Sequence, residues 1–247
     1  MRRKGFLVVD NEITIGVYIP SVGRAERGMI TGKLFESPKH IVRKSQEQEY
    51  KKMGFINVIG VEDNEIDGYG DVFNWIVENA KEDIIVIADD DIKAFSYLLE
   101  RAYRIEDVET VQAEFERIGQ ILYDLDIGLA YGPATPAWYN YTCEFAFFGI
   151  PGAFKVINRK ALKAKMDSEL PRCTDIDFVL QELLLNRITL SVKWLVDSPY
   201  EDSTTSTSGS TYNAKGIQQA VEIMKARWGK YFSYNMKKNI PRIRVQR

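Results

Sequence analysis

The stretch IIVIADDDIKAF, Ile84 to Phe95, ends an apolar run in three consecutive aspartates and then turns apolar again at once. Each carboxylate there raises the cost of folding through repulsion and desolvation, so a positive group is expected to offset it. Asp89 and Asp91 lie two positions apart, which in extended backbone sends both carboxylates to one side. Two convergent carboxylates suit a hard divalent cation, Mg2+ or Mn2+, that keeps positions open for phosphate oxygens. The plainer alternative is an exposed acidic turn that caps a following helix. Three acids fused to a wholly apolar strand argue against it.

Other residues also have chemical potential. Arg24 and Arg27 follow the first apolar strand, and a guanidinium suits a diphosphate or a base edge; ordinary surface charge is the alternative. The span GPATPAWYNYTCEFAFFG, Gly132 to Gly149, holds Trp138, Tyr139, Tyr141, Phe145, Phe147 and Phe148. Such rings stack on a sugar or an extruded base, or they fill a core. The phenylalanines are expected in the core. His40 is the single histidine, and a lone histidine in a turn-like context reads as surface chemistry. After Glu222 the chain has no acid, while Lys225, Arg227, Lys230, Lys237, Lys238, Arg242, Arg244 and Arg247 are all basic. A segment of this kind either meets a polyanion such as nucleic acid or is a solvated terminus.

The elements that must position these residues alternate strand and helix, which predicts an α/β sheet. Strands are expected at Thr14–Pro20, Lys39–Lys44, Ile56–Val61 and Asp83–Ala88. The last is apolar on both faces and so belongs mid-sheet. Ser45 and Gln48 read as a capping box opening the helix QEQEYKKM. DVFNWIVENA reads as an amphipathic helix, Ile105–Leu125 as a long one, and Thr174–Asn186 as a strong one. IGLAYG, EFAFFGI and LSVKWLVD read as strands, GAFKVINRKAL as a strand running into a turn, and AKGIQQAVEIMKARWG as the last helix. The run Ser203–Thr211 is small and polar, and a mobile loop is expected there. In an open α/β sheet, ligands sit beyond the carboxyl ends of the strands, where the three aspartates lie.

An Asp-x-Asp at the end of a fourth strand, downstream of VYIPSVGR, resembles the layout of GT-A-fold nucleotide-sugar glycosyltransferases. The resemblance implies a Rossmann-type mixed sheet flanked by helices. It also implies a loop, Pro20, Ser21, Val22, Gly23 and Arg24, that holds the nucleotide base. Asp91 becomes the leading ligand of Mn2+ or Mg2+, Asp89 touches metal or ribose, and Asp90 belongs to the nucleotide-sugar site. GYGDVFNWIV is similar to a family segment that lines this site and points to Asn74, although Phe73 stands where a basic residue is usual. The acidic pair in CTDIDFVLQ matches the acceptor half. Asp175 takes the position of a general base for an inverting transfer, and Asp177 that of a supporting acid. A capping box of Thr174 with Asp177 is the simpler reading of the latter. Asp197 is a weak substitute for a late metal ligand. Trp138, Tyr139, Tyr141 and Asp177 are weak candidates for acceptor contact. Ser203–Thr211 fits a lid over the donor.

YIPSVGRA, VIGVEDNEIDGYGDVFNWI and IADDDI together are most similar to the phage TET/JBP-associated DNA-base glycosyltransferases. That implies a UDP-sugar donor and a hydroxymethylpyrimidine acceptor in DNA, and the charge of the basic C-terminal segment points independently to phosphate contact. Other readings are a protein, glycan or small-molecule acceptor, a nucleotidyltransferase, or a nucleic-acid-binding module without catalysis. PSVGRAERGM is a poor phosphate loop for the second of these, and the module leaves the aspartates without a purpose.

The chain of 247 residues, 45% hydrophobic and 28% charged, fits one domain over 1–247. A nucleotide-sugar half of about 1–92 and an acceptor half of about 93–247 are expected within it. Cys143 and Cys173, without a secretory leader, point to a reducing, cytoplasmic setting. No apolar run approaches the ~20 residues that span a bilayer.

Overall fold

The computed structural model describes residues 13–27, 30–134, 143–199, 214–238 and 240–245. Its strands in chain order are β1 (Ile15–Pro20), β2 (Lys39–Arg43), β3 (Val58–Val61), β4 (Ile84–Ala88), β5 (Ile92–Leu98), β6 (Ala102–Arg104) and β7 (Leu129–Pro133), followed by β8 (Phe145–Ala146), β9 (Pro151–Asn158), β10 (Leu190–Val192), β11 (Leu195–Pro199), β12 (Phe232–Asn235) and β13 (Ile240–Ile243). The helices are α1 (Glu47–Lys52), α2 (Tyr69–Asn79), α3 (Val108–Asp124), α4 (Thr174–Asn186) and α5 (Ala214–Trp228).

One large sheet runs β3-β2-β1-β4-β9-β7-β10-β8. Strands β1 to β4 pair in parallel, and β9 lies antiparallel to both β4 and β7. β4 is central and buried along its whole length, as its unbroken apolar run predicts. The pleat divides its side chains. Ile84, Val86 and Ala88 face a cluster with Phe115, Ile118 and Leu122 of α3. Ile85 and Ile87 face Phe73 and Ile76 of α2 and Phe178 and Val179 of α4. A ring ladder of Phe35, Phe95, Phe115 and Phe154 fills the first face, with centroids 5.2–5.9 Å apart. Apolar burial on both faces of β4 therefore holds the aspartate turn at the carboxyl edge.

The fold corrects several sequence expectations. The three aspartates lead into a strand, β5, which pairs with β11 and β6 in a small second sheet. LSVKWLVD is two strands in two sheets. The chain changes sheet at Lys193 and Trp194, where the Trp194 indole donates to Glu114 at 2.8 Å and Arg117 lies 4.6 Å over its ring. Ser45 caps nothing; it bonds to Asp63 through both its N–H and its hydroxyl, and α1 begins at Glu47. His40 is not on the surface. It is buried in β2, edge-on to Phe55 at 4.9 Å and bonded to the Ile56 carbonyl. Burial lowers its pKa despite that bond. Among the phenylalanines, Phe145 packs on Trp194 while Phe147 is exposed.

The basic C-terminal segment is not a loose tail. β12 and β13 form a hairpin, and Phe232 joins Ile176, Leu180, Val221 and Met224 in a core shared by α4 and α5. Among the described residues, no helix is long and apolar enough to cross a membrane. The Ser203–Thr211 run lies outside the described residues.

Candidate active site at the carboxyl edge of the central sheet

The site begins where β4 stops. The Asp89 N–H donates to the Ala153 carbonyl at 2.9 Å, extending the pairing with β9 by one residue. The chain then turns through Asp90 and Asp91 into β5. Thr31, 1% exposed, closes that turn. Its hydroxyl donates to the Asp89 carbonyl at 2.7 Å and accepts the Ile92 N–H at 2.9 Å. One hydroxyl thus satisfies two backbone groups that the turn leaves unpaired.

Asp90 points to the loop after β1. It accepts from the Ser21 hydroxyl and from Arg24 Nη1, and the same Nη1 reaches Asp91 at 3.2 Å. Burial holds the Asp90 carboxyl above its usual range, with Asp91 adding to the effect and Ser21 and Arg24 only partly opposing it. The loop is itself braced. Gly23 has φ +63°, a conformation that favours glycine, and its N–H donates to Gln46 at 3.1 Å. The Tyr50 hydroxyl meets Ser21 at 2.7 Å and accepts the Arg24 N–H at 3.1 Å. The crease beneath, lined by Ser21, Arg24, Thr31, His40 and Asp90 among others, has a volume of about 10 Å3, about enough for one water.

On the other side of the turn lies Lys155 of β9, buried at 3% exposure. Its ammonium donates to the Tyr69 hydroxyl and to the Gly152 carbonyl, both at 3.2 Å, and lies 5.4 Å from the Tyr69 ring. Burial works against this cation, but Tyr69, Asp89 and Asp175 outweigh it, and its pKa stands above the ordinary lysine value. The Asp89 carboxyl is pushed up to about 7. Burial is the chief cause, Lys155 opposes it, and Asp91, Asp90 and Asp197 add repulsion. Asp197, in β11, is raised too, first by burial; backbone N–H groups, that of Ala153 among them, and Lys155 oppose this, and Asp91 reinforces it. Acids of the segment after β4 and of β11 are therefore electrostatically coupled in one corner.

That corner fits a divalent cation. Burial is the main reason the Asp89 carboxyl is raised, and Asp91, Asp90 and Asp197 add repulsion that Lys155 opposes. Among the described residues, no three His, Cys, Asp or Glu side chains come together as a metal cage. The donor set is thus one that draws its remaining ligands from phosphate or water, which is how Mg2+ is commonly held.

No family model and no curated protein sequence matches the chain. Solved structures do match in fold. Glucosyl-3-phosphoglycerate synthase from Mycobacterium tuberculosis, solved with Mn2+, UDP-glucose and glycerol 3-phosphate, superposes with a TM-score of 0.55 at 12% identity, over 92% of this chain and 86% of that one. The same enzyme with Mg2+ and UDP gives 0.54 at 11% identity, over 94% and 87%. The fold is GT-A.

The GT-A sheet brings together Pro20, Ser21, Gly23, Arg24, Asp89, Asp90, Asp91 and Asp197. Asp175, in the first turn of α4, joins them electrostatically through Lys155. Two of the expected site residues have their side chains engaged within the fold. Asn74 spends both ends of its amide on the Met166 backbone, at 2.9 and 3.0 Å, and so fastens α2 to the 160s segment. Asp177 is fully buried and accepts from Trp228, Arg227 and Gln181 at 2.7, 2.9 and 2.7 Å. It anchors α5 and neither meets an acceptor nor caps α4, whose N-cap is Cys173. Trp138, Tyr139 and Tyr141 lie outside the described residues. Sequence reasoning missed Thr31, Tyr50, Tyr69 and Lys155. Only Lys155 left a signal, as a charge inside the apolar strand GAFKVIN.

Proposed function

We propose that the protein is a metal-dependent glycosyltransferase. It moves a sugar from a nucleoside diphosphate sugar, of the UDP type, to a hydroxyl group. The favoured acceptor is a 5-hydroxymethylpyrimidine in DNA. The observation that carries this reading is the aspartate turn of Asp89 to Asp91 beyond β4, electrostatically coupled to Asp197 and set in a GT-A sheet beside the braced loop of Ser21 and Arg24.

In this reading Pro20, Ser21, Gly23 and Arg24 hold the nucleotide, and Arg24 is placed to meet its diphosphate. Asp89 and Asp91, with Asp197 beside them, would hold Mn2+ or Mg2+, which neutralises charge on the leaving diphosphate when bound. Lys155 offers its charge to Asp89 on one side and Asp175 on the other. In an inverting course Asp175 takes the proton of the acceptor hydroxyl. That oxygen bonds to the anomeric carbon, the bond to the diphosphate oxygen breaks, and the nucleoside diphosphate leaves. A base flipped from its stack presents its hydroxymethyl group to this corner. The basic C-terminal segment supports the choice of DNA through its charge.

The test is mass spectrometry of nucleosides from hydroxymethylated DNA after incubation with a panel of sugar nucleotides and Mn2+. A hexose mass added to the modified base is expected. Sugar-nucleotide hydrolysis with no sugar on any base would move the acceptor to a protein or a small molecule. Calorimetry provides the second arm: UDP-sugar binding is expected to need Mn2+ and to vanish in Asp91→Ala.

A further inference from the structure

Beside β13 lies an open hollow of about 460 Å3, lined by Phe148, Gly149, Ile150, Arg242, Ile243 and Arg244. We infer that it seats phosphodiester groups of an unpaired DNA strand, with Arg242 and Arg244 as the contacting cations. The inference rests on the DNA-acceptor reading above and names where the strand is held.

The backbone sets the two arginines side by side. Phe232 pairs with Ile243, and the Arg244 N–H donates to the Tyr231 carbonyl at 2.8 Å, so the pairing runs one residue beyond β13. Residues 242 and 244 therefore share a face, about 7 Å apart at two strand rises. Ile243 and Val245 pack inward against the cores, which turns Arg242 and Arg244 outward, and both are exposed. Among the described residues neither guanidinium has a hydrogen bond or ion pair. Arg227, in the same basic segment, is instead spent on Asp167 and Asp177 at 2.8 and 2.9 Å. Two unpartnered planar cations on one face are suited to bidentate phosphate contact.

Two features favour a strand over a small phosphate ester. The hollow is open, whereas small ligands are usually enclosed. Positive charge also continues past it: Lys237 and Lys238 at the hairpin turn carry ammonium groups without ion pairs among the described residues, and no acid follows Glu222 to repel a polyanion. The hollow is also close to the chemistry in chain terms. Phe148–Ile150 leads directly into β9, whose Ala153 binds the Asp89 N–H and whose Lys155 faces the acids. A strand held there places a neighbouring nucleotide toward the aspartate corner.

The test is fluorescence anisotropy of the full chain with a labelled single-stranded oligodeoxynucleotide carrying one 5-hydroxymethylcytosine, over a series of salt concentrations. Arg242→Gln with Arg244→Gln is expected to weaken binding roughly tenfold or more and to lower the log–log salt slope by about 1.4, at ~0.7 for each phosphate no longer neutralised. UDP binding with Mn2+ is expected to stay unchanged by calorimetry. Should the double glutamine variant fold poorly, Arg242→Lys with Arg244→Lys keeps the charge; weaker binding with an unaltered slope is expected. Undiminished oligonucleotide binding by the variants overturns the seat alone. Absent oligonucleotide binding in the parent, with UDP binding intact, overturns the DNA acceptor as well. Binding of inorganic phosphate to the parent but not to the glutamine variant, with no oligonucleotide bound, makes the hollow a phosphomonoester site and also overturns the inference.

Discussion

Arg24 Nη1 lies 3.2 Å from Asp91, one of the two carboxylates proposed to hold the cation. Its contacts with Asp90 and Asp91 offset repulsion between neighbouring acids. Arg24→Gln is therefore expected to bind Mn2+ several-fold more tightly in the absence of donor and a UDP-sugar more weakly in its presence. Electron paramagnetic resonance of free Mn2+ and calorimetry read the two effects. Asp89 makes a second case. Its carboxyl is raised from the ordinary value to about 7, so between about pH 4 and pH 7 the folded state binds more protons than the unfolded state. Stability then falls as pH rises through that window. Asp89→Asn removes the fall, and its advantage over the parent is expected to grow toward pH 8, by at most about 4 kcal/mol at ~1.4 per unit. Denaturant midpoints at several pH values measure it. Asp175 and Asp177 separate chemistry from packing. Asp175→Asn is expected to slow turnover by roughly a hundredfold or more with little change in melting temperature. Asp177→Ala leaves the Trp228 indole and one arm of Arg227 unpaired, and is expected to cost about 2–3 kcal/mol of stability.

Among the elements, the turn from β4 to β5 depends on Thr31, which arrives from a different part of the chain. Thr31→Val keeps the shape and removes the hydroxyl, leaving the Ile92 N–H and the Asp89 carbonyl without it. A loss of about 1–3 kcal/mol is expected, together with weaker Mn2+-dependent UDP binding, since the aspartates lose their fixed spacing. Differential scanning calorimetry and titration calorimetry report the two losses. The same turn shows what was legible in the sequence. β4 could be read as the central strand because an unbroken apolar run is a local signal, whereas the extended spacing expected of Asp89 and Asp91 does not form, because the chain turns at Asp90 and Asp91. α4 was legible over its full length from Thr174 to Asn186. Thr31 and Tyr50 were not legible, because their partners lie on other elements and nothing in their own neighbourhoods marks them; Tyr69 sits in the marked GYG segment, but its partner Lys155 arrives from β9. LSVKWLVD read as one strand because the change of sheet is forced by Trp194 packing on Glu114 and Arg117, a tertiary contact. His40 read as exposed because its burial depends on Phe55 and Ile56, which arrive with β3.

At the scale of the whole molecule, the basic segment has two separable roles. Its inward residues complete a core with α4 and α5, and its outward arginines face the hollow. Deletion of residues 232–247 is thus expected to lower the melting temperature markedly or give insoluble protein, since it uncovers Met224 and Val221. Replacing outward basic residues one at a time should leave stability within about 0.5 kcal/mol of the parent. Thermal melts of both series distinguish a structural hairpin from a dispensable appendage.

The small ribbon of β5 and β11 has a mechanical consequence. Asp91 immediately precedes β5, and Asp197 faces Phe95 across the β5–β11 pairing, so two acids of one corner are carried by neighbouring strands of the small three-stranded sheet. β11 is an outer strand of that sheet, with a register irregularity at Ser198 and Pro199. A shift of that outer strand along β5 would change the distance between the two acids, so the pairing of β5 with β11 sets the spacing of the corner.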